Sequence, residues 1–342
     1  MEPAHSDLQH RVEINHGFKT VSMREGSSLL SGLARSGILI PSACGGNARC
    51  GACKIKVLNN SAGAVLPQEE ALLSAEQIAS GMRLSCQVKI ENDLSIEIPP
   101  EYFSIKQFSG TLLEKQQLTY DILKLRITLV KPDSIAFTAG QYVQIRSQPF
   151  QGKEAVVRAF SVASAPSDTN HVDLMIRRIP GGLCTAWIFD GLKQGDKVYF
   201  TAPYGDFRLS NTTAPALFIA GGSGMAPLWS MLQDMKEKSP RRTVSFFFGA
   251  LTQRDLFLTD RLITLQQELP GFTFVPALSN EPPDSNWNGE RGLITDVVAR
   301  HCADCSGSEA YLCGSPGMIE ACKTVLMKCG MRKENIFYDN FI

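Results

Sequence analysis

The chain has 342 residues, enough for two or three domains, and 44% of them are hydrophobic, as in an ordinary globular protein. Lys plus Arg equals Asp plus Glu at 34 each, so no global charge recruits nucleic acid or an anionic membrane, and partner choice must be local. No apolar run reaches the length of a membrane span, and the opening MEPAHSDLQHR carries neither a signal-peptide nor a transit-peptide pattern, so the cytoplasm is the expected compartment.

Residues 11–24 alternate about a His16-Gly17 turn, which predicts a hairpin, and 27–36 carry a helical pattern closed by Gly37. The run PSACGGNARCGACKIKV follows, with Cys44, Cys50 and Cys53 spaced C-x5-C-x2-C, and Cys86 stands alone further on in MRLSCQV. Thiolates are the ligands an iron–sulfur cluster requires, and Gly45, Gly46 and Gly51 let the backbone fold tightly and aim N–H groups at sulfur. A structural zinc site would more often pair its thiols as C-x2-C twice over, and a disulfide framework suits a short secreted chain, so a 2Fe-2S cluster is the reading adopted. A strand KIKVL, a helical stretch over 69–78, and strands QVKI after Cys86 and LSIEI complete this unit. Pro99 and Pro100 end it, which places a first domain at 1–101.

From Phe108 onward the pattern becomes six short alternating strands: GTLLEKQQL, DILKLRITLV, GQYVQIRS, RAFSVAS, HVDLMIRRI and DKVYFTAP. That spacing predicts a small antiparallel barrel at 102–211. Within it, Arg158 can fix a phosphate and Phe160 projects from the same strand face, while Gly182 and Thr185 in GGLCT sit where a helix start can hold a diphosphate. Taken alone, RAFS reads as ordinary strand; beside the cysteines and the glycine loop described next it becomes specific.

The last third, 212–342, alternates strands such as ALFIAGG, TVSFFFGAL, FTFVPALS and YLCGS with helices, the pattern of a doubly wound parallel sheet. Gly221, Gly222, Ser223 and Gly224 lie between the first of these strands and its helix, with Pro227 in the first helical turn; backbone N–H groups there make a diphosphate site. Cys302 and Cys305 form C-A-D-C, read as packed thiols for want of a second pair or a thioredoxin-like context.

Together these segments resemble the ferredoxin-NAD(P) reductase superfamily, in the branch with an N-terminal 2Fe-2S domain. The chain is similar to the reductase components of bacterial multicomponent mono- and dioxygenases and to the F subunit of the sodium-translocating NADH:quinone reductase. The resemblance implies a β-grasp ferredoxin domain, a flavin-binding barrel and a nucleotide-binding α/β domain. It places Arg158 at the FAD phosphates, Phe160 on the isoalloxazine, Ser161 near flavin N5, and Gly182 and Thr185 at the diphosphate. It further implies that Cys313 and Gly314 of C-G-x-P contact the nicotinamide, and that Asp339 and Phe341 close the site, with Phe341 over the other flavin face. Phe160 replaces the family's commoner tyrosine. The C-x5-C loop is longer than the plant type and resembles that of the sodium-pump component, whose N-terminal membrane helix this chain lacks.

Joining NADH to a one-electron centre dictates the chemistry. A cluster cannot accept a hydride, so a flavin must take the pair and release it singly. The expected function is hydride transfer from NADH to FAD, then single electrons through the cluster to a partner protein such as an oxygenase component. Alternatives are a soluble reductase feeding a quinone or a reductive-activation system, and a non-enzymatic metal- and nucleotide-binding sensor. Asp255, after the second strand of the nucleotide domain, is the candidate ribose ligand; Arg254 beside it could instead meet a 2′-phosphate, and NADH is favoured. The cluster loop is the expected docking face, with Arg49 the candidate partner contact.

Overall fold

The computed structural model describes residues 8–238 and 242–340. Strands β1 (Gln9–Ile14) and β2 (Lys19–Arg24) form the predicted hairpin, turning through three positive-φ residues, Asn15, His16 and Gly17. Helix α1 (Leu29–Arg35) is capped by Ser28, whose hydroxyl accepts the Ser31 N–H at 3.3 Å, and it buries Leu29 and Leu33 against the sheet. Next come β3 (Lys54–Val57), α2 (Pro67–Glu70), α3 (Ala75–Ala79), β4 (Met82–Leu84) and β5 (Leu94–Glu97). The sheet order is β2-β1-β5-β3-β4 with β1 and β5 parallel: a mixed sheet crossed by one helix, the β-grasp arrangement.

Two local expectations are corrected. The helix over 69–78 is two short helices, because Ser74 starts α3 afresh with a capping box to Gln77. The strand expected in QVKI does not form: its backbone is used by the start of α1, with the Leu29 N–H donating to Val88 O and the Ile90 N–H to Ser27 O.

A 3-10 turn at Pro100–Ser104 leads into the barrel, made of β6 (Lys106–Gln117), β7 (Ile122–Lys131), β8 (Tyr142–Arg146), β9 (Val157–Ser161), β10 (His171–Arg177) and β11 (Lys197–Tyr204), with a short helix α4 (Leu183–Ala186) between the last two. Their order is β10-β7-β6-β11-β8-β9, and a bridge from Val162 to Leu174 brings the two ends together. All six predicted strands are present.

The third unit runs β12 (Ala216–Gly221), α5 (Met225–Lys238), β13 (Val244–Ala250), α6 (Thr259–Glu268), β14 (Phe272–Leu278), β15 (Glu290–Arg291), α7 (Ile294–His301), β16 (Glu309–Gly314), α8 (Pro316–Lys328) and β17 (Ile336–Asn340). Every strand pair is parallel, in the order β15-β14-β13-β12-β16-β17. The chain starts this sheet in the middle and winds outward both ways, which creates a switch point between β12 and β16 where a dinucleotide can enter. Neighbouring residues of β12 face opposite layers: Phe218 joins the core with Phe246 and Met231, Leu217 the one with Phe247 and Val297. The barrel's Ala139, Met175 and Phe207 share the first of these cores, and Ser230 Oγ donates to Ser164 O at 2.6 Å, so barrel and sheet are packed together.

Candidate cofactor sites and the cleft between the domains

The cysteine loop is shaped by backbone conformation. Gly45, Gly46, Ala48 and Gly51 all have positive φ, which turns successive N–H groups inward. The four thiols stand as two pairs. Cys50 Sγ lies 3.4 Å from Cys44 Sγ, and Cys53 is hydrogen-bonded to Cys86. The Cys44 thiol is pulled down to about 4, first by the Cys50 hydrogen bond and then by main-chain N–H groups of Arg49, Cys50 and Asn47, while Cys50 is pushed up by the same bond. Cys86 is lowered to about 6 by its bond to Cys53, and Gln87 Nε2 donates to it at 3.4 Å. Among the described residues, no group of three His, Cys, Asp or Glu side chains is arranged for a single metal ion. Two thiol pairs fit a two-iron cluster, which divides four cysteine ligands between its irons. Ser42 Oγ is buried beside the loop without a hydrogen-bond partner, a further sign that the loop is built around a group. Cys44, Cys50, Cys53 and Cys86 would hold that cluster.

One side of this loop is pressed onto the barrel. Arg158 Nη1 donates to Cys44 O at 3.4 Å, and a Cβ on Gly45 would stand 3.2 Å from Val157 O. The result is a cleft of about 450 Å³ whose lining includes Cys44, Arg49, Cys50, Phe160, Ser161 and Asp339. Arg49, the candidate partner contact, is exposed and also borders this cleft, because the contact at Gly45 turns that side of the loop toward β9.

Within the cleft, Arg158 bonds only main-chain carbonyls, Val157 O at 2.7 Å and Cys44 O, and makes no ion pair among the described residues. A half-buried guanidinium without an anion fits a phosphate group. The buried Cys184 of α4 lies within electrostatic reach of Arg158, so RAFS and GGLCT approach one another. Thr185 is engaged locally: its Oγ1 donates to Gly182 O at 3.0 Å and accepts the Ile179 N–H at 3.2 Å, and the Gly182 N–H donates to Ile179 O at 2.9 Å, so the hydroxyl and that N–H are used within the turn. Phe160 is half-buried and packs against the barrel core. Ser161 is buried and donates to Asp339 Oδ2 at 3.2 Å. Burial pushes the Asp339 carboxyl up to about 6, against the pull of that bond. Tyr142, stacked on Tyr204 with ring centres 5.4 Å apart, closes the cleft between Cys50 and Asp339. These residues fit a flavin with its phosphates at Arg158. Phe341 lies outside the described residues.

At the switch point, Gly221 ends β12 and Gly222, Ser223 and Gly224 form a 3-10 turn into α5, with Pro227 buried in the first helical turn. Gly224 is obligatory. A Cβ there would lie 2.1 Å from Cys313 O and 2.8 Å from Gly314 N, so the turn can approach β16 only without a side chain. Cys313 is fully buried and pairs in register with Asp339, while burial pushes its thiol far up, so it is a neutral wall. Asp255 is also buried. Its Oδ2 accepts the Thr252 N–H at 2.9 Å and Thr252 Oγ1 at 2.7 Å and so caps the turn, while its Oδ1 is buried without a hydrogen-bond partner.

Sequence reasoning missed Arg177. Its Nε donates to Asp121 Oδ2 at 2.7 Å, and its Nη1 stands 2.9 Å from where a Cβ on Gly222 would be, which sets a barrel cation against the nucleotide loop. The only local signal was the Arg177-Arg178 pair where the strand HVDLMIR ends.

Comparison with known proteins agrees with this geometry. Residues 12–91 match the 2Fe-2S iron-sulfur cluster binding domain, 109–209 the oxidoreductase FAD-binding domain and 218–324 the oxidoreductase NAD-binding domain. The F subunit of the Na(+)-translocating NADH-quinone reductase of Neisseria meningitidis is 33% identical over 374 positions, covering 96% of this chain and 91% of that protein. Its counterpart in Actinobacillus succinogenes is 33% identical, over 94% of this chain and 88% of its own length. Among solved structures, the Amycolatopsis cytochrome P450 reductase GcoB superposes with TM-score 0.78 at 31% identity, covering 97% of this chain and 98% of the other. The ferredoxin reductase in carbazole 1,9a-dioxygenase does so with TM-score 0.75 at 25% identity, covering 98% and 99%. The chain belongs to the family of oxidoreductases that join 2Fe-2S, FAD-binding and NAD-binding domains, which includes the F subunits of the Na(+)-translocating NADH-quinone reductase.

Proposed function

We propose that this chain is the cytoplasmic reductase component of a multicomponent oxygenase, oxidising NADH and passing electrons singly to the oxygenase protein. The observation that carries this reading is the shared cleft: the cysteine loop and the RAFS strand line one cavity, with Arg158 bonded to Cys44 O. When bound, FAD accepts a hydride from NADH and yields electrons one at a time, and the 2Fe-2S cluster carries them. The chain's own residues place and shield. Arg158 and the N–H groups of the Gly182 turn hold phosphates, and Phe160 gives a flat apolar wall. The Gly221–Gly224 loop and Arg177 hold the diphosphate of NADH, Ser161 fixes the Asp339 carboxyl by donating to its Oδ2, and Cys313 keeps water out behind them.

An absorption spectrum tests the reading. The isolated protein should show flavin bands and a broad red cluster absorbance, both bleached by NADH under anaerobic conditions, and it should copurify with an oxygenase component from its native host. A colourless protein, or one whose flavin NADH leaves oxidised, would sink it. A second reading, a reductase for a quinone, is favoured by the 33% identity to the NADH-quinone reductase component of Neisseria meningitidis. Among the described residues no helix is long and apolar enough to cross a membrane, and NADH-dependent reduction of a quinone by the purified protein, without an oxygenase component, would select this reading.

A further inference from the structure

We propose that Tyr120 sets coenzyme choice, by stacking on Arg254 and holding that guanidinium away from the 2′ position of the adenosine ribose. The inference rests on the NADH reading above and deepens it.

In a doubly wound sheet the adenosine ribose meets the residues that follow the second strand, at the carboxyl ends of the parallel strands. An acid there takes the 2′-hydroxyl and an arginine accommodates a 2′-phosphate. Here the second strand, β13, ends at Ala250, and the turn after it carries Arg254 and Asp255. Asp255 is buried, with its Oδ2 held by Thr252, so the group of this turn that stands at the surface is its neighbour. The choice falls on Arg254, which is exposed and makes no ion pair among the described residues. A free arginine at this place would favour NADPH.

It is not free. Its guanidinium carbon lies 4.7 Å from the centre of the Tyr120 ring. Tyr120 belongs to the barrel, in the turn between β6 and β7, and that turn is fixed from three sides. Leu118 packs into the core shared with α5, Thr119 Oγ1 donates to Asp121 Oδ1 at 2.9 Å, and Asp121 Oδ2 accepts Arg177 Nε at 2.7 Å. The backbone at Tyr120 is therefore held in place; its side chain is 57% exposed, with the hydroxyl directed at Asp255 and the ring presenting to Arg254 the face that attracts a cation. The same short turn thus braces Arg177 at the nucleotide loop and occupies Arg254 at the ribose end.

The test compares kcat/KM for NADPH and NADH, with ferricyanide as acceptor, in the FAD- and cluster-loaded wild type, Tyr120→Ala, Tyr120→Phe and Tyr120→Ala/Arg254→Ala. An exposed cation–π contact corresponds to roughly threefold to tenfold in an equilibrium. Tyr120→Ala should raise the NADPH-to-NADH ratio by about that factor, and adenosine 2′,5′-bisphosphate should bind correspondingly tighter in calorimetry. Tyr120→Phe keeps the ring and gives up only the hydroxyl's interaction with Asp255, so its ratio should stay within twofold of the wild type, and the double variant should return to it. A ratio and a bisphosphate affinity that stay within twofold in Tyr120→Ala overturn the proposal, as does a gain that survives removal of Arg254. Should the wild type oxidise neither coenzyme, the reductase reading fails, and the bisphosphate affinities still decide the role of Tyr120.

Discussion

Ser161 Oγ donates to Asp339 Oδ2 at 3.2 Å, joining the barrel strand that carries the flavin motif to the last strand of the nucleotide sheet. The two residues are far apart in sequence, yet register puts them at one point: Ser161 ends β9 opposite Tyr142, and Asp339 lies beside Cys313. A barrel that shifted against the sheet would leave a buried carboxyl without its donor. The pair therefore reports on how well the two domains are locked.

Asp339 gives that lock a pH dependence. Burial first, opposed by the Ser161 bond, raises its carboxyl to about 6 from an ordinary 3.8. A value raised on folding means stability that is full below the ordinary aspartate range and lost as pH rises through about 6. Asp339→Asn mimics the protonated form and should escape this loss. Its melting temperature should exceed the wild type's by about 2–4 °C at pH 7.5, corresponding to about 1–2 kcal/mol, with the gap closing toward pH 4. Ser161→Ala removes the bond that lowers the carboxyl, so the inflection should move to higher pH. Thermal melts of the three proteins across pH 4–8 check both, and parallel wild-type and Asn curves would refute the assignment.

Arg158 should be felt in flavin affinity before anything else. Losing a charge-assisted contact to phosphate costs about 1.5–3 kcal/mol, or roughly tenfold to a hundredfold in Kd. Arg158→Ala is expected to be isolated with a depleted flavin complement and to need that much more FAD for saturation, while its iron-to-protein ratio holds. Arg158→Lys should recover the charge but not the fork, and fall between. Flavin titration by fluorescence quenching measures it; equal affinities would place the phosphates elsewhere.

The cysteine motif and the GGSG loop were legible because their chemistry is local: a C-x5-C-x2-C run with a fourth, distant thiol supplies the four soft ligands of a two-iron cluster, and Gly224 has no room for a Cβ. The six barrel strands were legible from period-two alternation alone. QVKI misled because it alternates well, but its main-chain groups serve the start of α1, which periodicity does not record. Asp255 was legible only as an acid after the second strand; that its Oδ2 caps Thr252 while its Oδ1 stays without a partner is a matter of turn geometry that the sequence does not record. The contacts of Arg158 with Cys44, Arg177 with the Gly222 loop and Tyr120 with Arg254 join segments whose distance in sequence hides them. They arise from domain packing and have no pattern along the chain.

A buried ion pair underlies the cluster loop. Arg83 donates to Glu69 Oε1 at 2.9 Å and Oε2 at 2.7 Å, and also to the carbonyls of Ala62, Gly63 and Ala64, so one side chain ties α2, β4 and the preceding loop together. Removing one partner strands a buried charge, at about 3–5 kcal/mol. Arg83→Leu should lower the melting temperature sharply and reduce iron content, because β4 leads directly to Cys86. The double variant Glu69→Leu/Arg83→Leu should regain part of both. Iron analysis with thermal melts settles this, and a single variant that keeps wild-type iron and stability would show the pair to be dispensable.

Arg177 should act on NADH and not on flavin. Its Nε is bound to Asp121 while its Nη1 faces the Gly222 turn, so the side chain is braced before any ligand arrives and spends little entropy on binding. Arg177→Ala is expected to raise KM for NADH about tenfold, in line with one charge-assisted contact to a diphosphate, with kcat changed less than twofold. Asp121→Asn should give a smaller rise in KM, because the guanidinium keeps its charge but loses its brace. Both effects should shrink as salt is raised from about 0.01 to about 0.5 M, where a partly exposed cation is screened. Steady-state kinetics at two ionic strengths measure this. A fall in kcat at constant KM would move Arg177 from binding NADH to positioning the reacting groups.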